Sequence, residues 1–417
     1  MSFELTADRW ATTWPKRLFI AERYLLSFSM GIFALLPAYL LSIGRDEVFF
    51  GSISACGVAA AILIILFSPS LAQRFGIRRL APVGGLLYAA GCATMIFNEL
   101  SGARLPIVYF IGYALQSGGW ALHFTVGSIC ISALSDDSDR SFNFMIYAAF
   151  STLGLTCGPL LSSLLSKLAD TPLAKMFALA MMTALFGSCL SIIASSLSAR
   201  VGKADIPKNV PIVRELPKLF TGKTLLFFVL VFLSASIYTT LINFQATFAG
   251  ASGLSYEVFF ACWAMGVVGS RFSIGSKVSR SAADRTLPLL LGGMVVSLLS
   301  FLLAPGDAMI YGMASLAIGV TYGLSYPVIQ AEAVRVAATH ARTVVQIIFS
   351  LSYFVGLYFF PLVAGLVSVH LGYDALIWLV ASLALLQTVL AILGYSLIRH
   401  RSVADHKRGL VEGRTDA

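Results

Sequence analysis

The sequence predicts an all-α membrane protein: twelve transmembrane helices in two six-helix pseudo-repeats. Three observations carry this prediction. Hydrophobic residues make up 58% of the chain and charged residues 12%, with a mean hydropathy of +0.85, whereas a soluble domain is about half apolar and about a quarter charged. Apolar runs of roughly 18 or more residues, long enough to cross a hydrocarbon core of about 30 Å as helices, recur from end to end. One stretch, Ser198 to Lys223, breaks the series at its centre, because it holds six Lys or Arg and three Pro and has no apolar helical face.

Residues 1–23 are polar, with Asp8, Arg9, Lys16, Arg17, Glu22 and Arg23, and no small-residue cleavage site follows a short apolar core. They read as a cytoplasmic segment without a removable signal peptide. Residues 24–197 form the first half, with spans at Tyr24 to Gly44, Val48 to Ala72, Leu80 to Phe97, Pro106 to Leu134, Phe142 to Leu168 and Met176 to Leu197. Residues 198–223 are a cytoplasmic linker. Residues 224–397 form the second half, with spans at Leu225 to Phe248, Tyr256 to Ile274, Thr286 to Leu303, Ala308 to Ala331, Thr343 to Val367 and Leu376 to Leu397. Residues 398–417 are a cytoplasmic tail. All six cysteines lie inside spans without a CxxC pair, so they read as small packing residues.

Cytoplasmic loops retain Lys and Arg, and with the N-terminus inside they hold 25 of the 29. Both termini are therefore expected in the cytoplasm, in a multi-pass protein of a bacterial inner (plasma) membrane. The net charge of +9 follows from those loops, and no nucleic-acid partner is expected. The expected surroundings are membrane lipid, with the chain as a monomer.

Two local matches relate the halves. Gly154 and Pro159 recur as Gly356 and Pro361, displaced by 202 residues. Gln73-Arg74, preceded by Pro69, recurs as Ser279-Arg280, preceded by Gly275, displaced by 206. Duplicated halves are the pattern of secondary transporters.

At these positions the sequence resembles the major facilitator superfamily, from Tyr24 to Leu397. The family's loop between helices two and three reads Gly, three residues, Asp, Arg, one residue, Gly, then basic residues. The segment Pro69-Ser-Leu-Ala-Gln73-Arg74-Phe-Gly76-Ile-Arg78-Arg79 keeps Arg74, Gly76, Arg78 and Arg79 but replaces the leading Gly and the Asp. The family's fifth-helix exporter motif resembles Gly154-Leu-Thr-Cys-Gly158-Pro159-Leu-Leu-Ser162-Ser163, with Ser for the last two glycines. The family's fourth-helix pattern aligns with Gln116, Gly119 and Ala121, but its Arg is Tyr113 here. Spans ten and eleven also resemble efflux members that include siderophore and metal-chelator exporters. The resemblance implies alternating access around a cavity lined by helices one, four, seven and ten. It makes Arg74, Gly76, Arg78, Gly154, Gly158 and Pro159 candidate gating and motif residues, to which the repeat adds Gly275, Arg280 and Pro361 and an expected pairing with Arg271 adds Glu332.

Ionisable groups inside a membrane are costly and default to functional candidates. Every Asp and Glu reads as lying away from mid-span, with Glu22, Glu257 and Glu332 at edges. His123 is the one mid-depth histidine. With Tyr113, Gln116 and Trp120 it shares one face of span four, at spacings of 3, 4 and 3. It is expected to bind substrate, to carry an exchanged proton, or only to hold helices together. Span seven offers Ser234, Tyr238 and Gln245, span ten Tyr322, Tyr326 and Gln330, and span eleven Gln346, Ser350 and Tyr353. These groups suit an amphiphilic organic substrate, though interhelical packing explains each singly. Arg271 either meets an anionic substrate or closes a gate by pairing with Glu332 or with the Asp136, Asp137 and Asp139 loop.

The expected function is proton-coupled efflux of a small organic compound by an antiporter, such as a siderophore or another carboxylate or zwitterionic metabolite. Multidrug efflux, proton-coupled uptake and a membrane sensor are the alternatives. No phosphate-binding loop, metal-site spacing or nucleophile–base arrangement is present, so no enzyme, cofactor or metal is expected.

Overall fold

In a membrane every backbone N–H and C=O must find its partner within the protein, so a spanning chain resolves into helices. The computed structural model describes residues 2–135, 140–169, 173–198, 201, 223–337 and 341–415, and within these ranges it is helical almost throughout. The helices are α1 (Ser2–Phe33), α2 (Leu36–Ser42), α3 (Glu47–Phe75), α4 (Ile77–Leu100), α5 (Pro106–Ala133), α6 (Arg140–Ala169) and α7 (Leu173–Leu197). After the linker, which lies largely outside the described residues, come α8 (Lys223–Ala251), α9 (Tyr256–Ser273), α10 (Gly275–Arg280), α11 (Ala283–Leu299), α12 (Ala308–Arg335) and α13 (Arg342–Thr415). Each predicted span lies on or across these helices: span one crosses α1 and α2, and spans eleven and twelve flank Gly372 within α13. At Gly372 the backbone has φ 85° and ψ 174°, a left-handed kink that suits glycine.

Local chemistry sets the helix ends. The Asp46 carboxylate accepts from Phe49 N–H at 2.8 Å and caps α3, and Asp307 caps α12 through Met309 and Ile310 N–H. Gly76, at φ 79°, separates α3 from α4. The Asn98 amide clasps the tight α4–α5 turn by binding both Leu105 N–H and Leu105 C=O. Hydroxyls inside the spans turn back on their own helix, as Thr125 donates to Ala121 O and Ser128 to Phe124 O.

Among the described residues, nine helical segments are long and apolar enough to cross a membrane. α5 and α9 are not among them, and they are the helices that carry His123 and Arg271. Large apolar side chains such as Phe97, Leu289, Leu303 and Leu371 are more than two-thirds exposed on the outer surface, where lipid tails would meet them.

α1 packs on α6 and α7, and α4 on α5 and α7, while α8 packs on α13 on both sides of its kink and α9 on α12. The two sets meet where α3 lies along α13 and α6 along α9. Close approach depends on the glycines noted in the repeat. A Cβ at Gly154 would lie 2.2 Å from Tyr24 O on α1, and one at Gly356 would lie 2.6 Å from Phe232 O on α8. Each repeated glycine therefore lets a helix press against the first helix of its own half.

Candidate functional site

The predicted face of α5 is real, but it divides between two environments. Its Tyr113 and Gln116 look into a cavity of about 30 Å³ at the centre of the bundle. That is room for a water molecule or two, far below the roughly 300 Å³ of a small-molecule pocket. The lining joins both halves and is uncharged: Tyr88, Tyr113, Tyr238 and Tyr358 supply rings, and Gln116 and Asn243 supply amides. Tyr113 meets Tyr358 edge-on at 6.0 Å, and Gln116 Nε2 points at Cys92 Sγ, 3.6 Å away.

One turn further along α5, Trp120 and His123 face α1. His123 Nδ1 lies 2.8 Å from Glu22 Oε1, and both side chains are almost wholly buried. The adjacent Arg23 is also buried, its guanidinium 4.6 Å from the Trp120 ring centroid, 5.2 Å from Phe124 and 5.1 Å from Tyr147. Such an aromatic cage stabilises a desolvated cation by about 2 kcal/mol or more.

Glu22, read from the sequence as lying at a span edge, is buried within the protein. The helix runs unbroken through it, Phe19 and Glu22 are buried, Glu22 meets His123 of α5, and Arg23 lies among rings of α5 and α6. Arg23, Phe124 and Tyr147 were not predicted. One signal was available: Glu22-Arg23 follows the apolar Leu18-Phe19-Ile20, so the pair interrupts an apolar segment.

The expected Arg271–Glu332 gate is not formed. Arg271 Nε donates to Gly323 O at 3.1 Å and Nη1 to Thr152 Oγ1 at 3.4 Å, which bridges α9 to α6. Glu332 is held instead by its neighbour Arg335 at 2.6 and 2.8 Å, with the Tyr395 hydroxyl donating at 3.3 Å. An i,i+3 partner on the same helix outcompetes one on a separate helix. The Asp136, Asp137 and Asp139 loop lies outside the described residues.

Above Arg271 a run of rings crosses the bundle. Tyr238 stacks on Tyr322 at 5.1 Å, Tyr322 on Tyr326 at 6.3 Å, Tyr326 meets Tyr353 at 5.5 Å, and Tyr353 stacks on Phe124 of the first half at 6.2 Å. The other proposed polar groups disperse. Gln245 donates to the Tyr311 hydroxyl at 3.0 Å, Ser234 is bonded by Gln387 at 2.6 Å, and Gln330 and Gln346 are exposed.

Among the motif residues, Gly154 and Gly158 seat α1 on α6, with Pro159 buried just beyond. The Pro361 carbonyl lies against Gly51, where α3 meets α13. Arg78 donates to Ser198 O at 2.9 Å and fastens the α3–α4 corner to the end of α7, while Arg74 is exposed beside Phe75. Gly275 opens α10, and the Arg280 side chain lies outside the described residues.

No curated protein matches the sequence. A crystal structure of the nucleoside transporter NupG superposes with a TM-score of 0.71 at 12% identity, covering 91% of this chain and 100% of that one. The E. coli fucose:proton symporter FucP superposes with a TM-score of 0.62 at 14% identity, covering 92% and 99%. At these identities the likeness is one of fold. The sequence itself matches the Major Facilitator Superfamily over residues 24–357, so the chain belongs to that superfamily of membrane transporters.

Proposed function

We propose that the protein is a proton-coupled secondary transporter of a small organic compound, working by alternating access, with the proton carried on the Glu22–His123 pair. The observation that carries this reading is the 2.8 Å contact between two almost fully buried titratable groups. Either partner can hold the shared proton: an ionised carboxylate accepts from Nδ1–H, and a protonated carboxyl donates to a bare Nδ1. The pair can therefore take up and release one proton as the halves alternate. The two halves rock about the central cavity, with the linker as a cytoplasmic tether and both termini on the cytoplasmic side.

The sequence resemblance favours export, with siderophores and other carboxylate or zwitterionic metabolites as cargo and amphiphilic drugs second. A specific observation favours a second reading, uptake by symport. The pair adjoins the caged Arg23, so loading a proton raises the local positive charge and would strengthen the hold on an anion. Gly154 and Gly158, the core of the exporter-like segment, meanwhile have a sufficient role in seating α1.

Metabolite distribution in cells with and without the protein tests both readings, measured by mass spectrometry under metal-replete and metal-starved growth. At least one compound should redistribute, and the difference should collapse with a protonophore and in Glu22→Gln and His123→Ala expressed at equal membrane levels. Retention inside cells lacking the protein means export, and failure to accumulate an external compound means uptake. A redistribution that survives the protonophore and both variants removes the pair from the mechanism.

A further inference from the structure

Two arginines, Arg23 buried and Arg271 half-buried, approach one run of rings from opposite halves. Arg23 on α1 is 5% exposed, and its Nε and Nη1 have no hydrogen-bond partner. Glu22, beside it in sequence, gives Oε1 to His123 instead. Among the described residues, Arg271 on α9 donates to the Gly323 carbonyl and the Thr152 hydroxyl. Neither guanidinium forms an ion pair among the described residues. Arg23 lies 5.2 Å from the Phe124 ring, which stacks on Tyr353, and Arg271 holds the Gly323 carbonyl beside Tyr322, so the two reach the same tyrosine run from its two ends. A desolvated cation is strongly unfavourable unless paired, and rings and carbonyls repay only part of that cost. With an ionised Glu22 and a neutral His123, the site keeps one uncompensated positive charge.

We propose that Arg23 and Arg271 form a two-sided subsite for the carboxylate of a flat aromatic acid, whose ring takes its place among Tyr238, Tyr322, Tyr326 and Tyr353. The carboxylate supplies the missing counter-charge, and a planar guanidinium matches it with two parallel hydrogen bonds. The ring replaces tyrosine–tyrosine stacking with ligand–tyrosine stacking, at the offset geometry those rings already adopt. The arginines sit on opposite halves, so one bound carboxylate ties α1 to α9 and is released when the halves part. The assignment rests on the transporter reading and names the cargo class of that cleft.

The test is equilibrium binding to the purified full-length protein in detergent, followed by tryptophan fluorescence and thermal shift. 2-Naphthoate and benzoate are the probes, and 2-naphthamide is the uncharged isostere. At least one acid should bind in the millimolar range or tighter, with the amide weaker by roughly tenfold or more, as loss of a charge-assisted hydrogen bond implies. Arg23→Gln and Arg271→Gln should each weaken the acid by a similar factor, and exposed Arg285→Gln should leave it unchanged. Arg23→Lys and Arg271→Lys guard against misfolding, since they keep the charge and should recover part of the affinity. Equal binding of acid and amide, no binding of either acid, or arginine variants that bind like the unaltered protein while remaining monodisperse would overturn the assignment. Binding is read without a proton gradient, so its failure leaves proton coupling standing. Acid binding together with unaltered transport in Glu22→Gln and His123→Ala would reject the coupling and keep the site.

Discussion

Glu22 and His123 illustrate how a pair of residues rather than either alone sets the energetics. Breaking a buried pair from one side leaves an uncompensated polar group and costs about 3–5 kcal/mol, whereas removing both sides costs far less. His123→Ala should therefore destabilise the protein strongly in thermal unfolding. Adding Glu22→Leu to His123→Ala should return much of that loss, a non-additivity expected only for groups in contact. Additive losses in the double variant would show that the two side chains do not depend on each other. The same contact explains what was hidden in the sequence. His123 was legible because its stripe-mates lie within three helical turns on α5. Glu22 was not, because its partner is 101 residues away and its neighbours Lys16, Arg17 and Arg23 make it read as part of a solvated run. Arg271 was visible as a deep cation, but Glu332 had a nearer partner in Arg335, which only the helix register at the end of α12 reveals.

At the scale of helices, the position of α1 decides whether Glu22 and Arg23 reach α5. That position is fixed by backbone contact across α1 and α6, where Gly31 and Gly154 each come close to a carbonyl of the opposite helix. Gly154→Ala introduces a Cβ 2.2 Å from Tyr24 O, and a backbone atom cannot rotate away. The helices must separate, so a loss of about 1–3 kcal/mol, typical of overpacking, is expected together with impaired transport. Gly250→Ala on α8 has nothing within 4 Å and should stay within about 0.5 kcal/mol of the unaltered protein. Equal effects from the two substitutions would remove close approach as the reason for the glycine. This layer was the most legible one, because small-residue spacing and apolar run length are local properties. The fate of Gln245, Gln330 and Gln346 was not, since a polar residue on an apolar helix reads the same whether it meets a cavity, another helix or the surface.

For the whole molecule, the question is what holds the halves together in this conformation, and the end opposite the linker supplies two related contacts. Glu47, in the first turn of α3, accepts a 2.8 Å hydrogen bond from the Tyr373 hydroxyl just beyond the kink in α13. Glu257, in the first turn of α9, accepts from the Ser163 hydroxyl on α6. Each carboxylate opens the second helix of its own half and reaches into the other half, so the two contacts repeat the internal duplication. A hydrogen bond to a charged group contributes about 1.5–3 kcal/mol, so losing both shifts a two-state equilibrium by up to several kcal/mol toward opening at that end. Tyr373→Phe with Ser163→Ala should do this without changing any residue of the central cavity. In a cysteine-free background, Asn243→Cys in the cavity lining reports the shift. A membrane-impermeant thiol reagent added from the end opposite the linker should label it faster in the doubly altered protein, and labelling from the linker end should slow in step. Unchanged labelling from both ends would mean that these contacts follow closure and do not hold it, leaving α3–α13 and α6–α9 packing as the restraint.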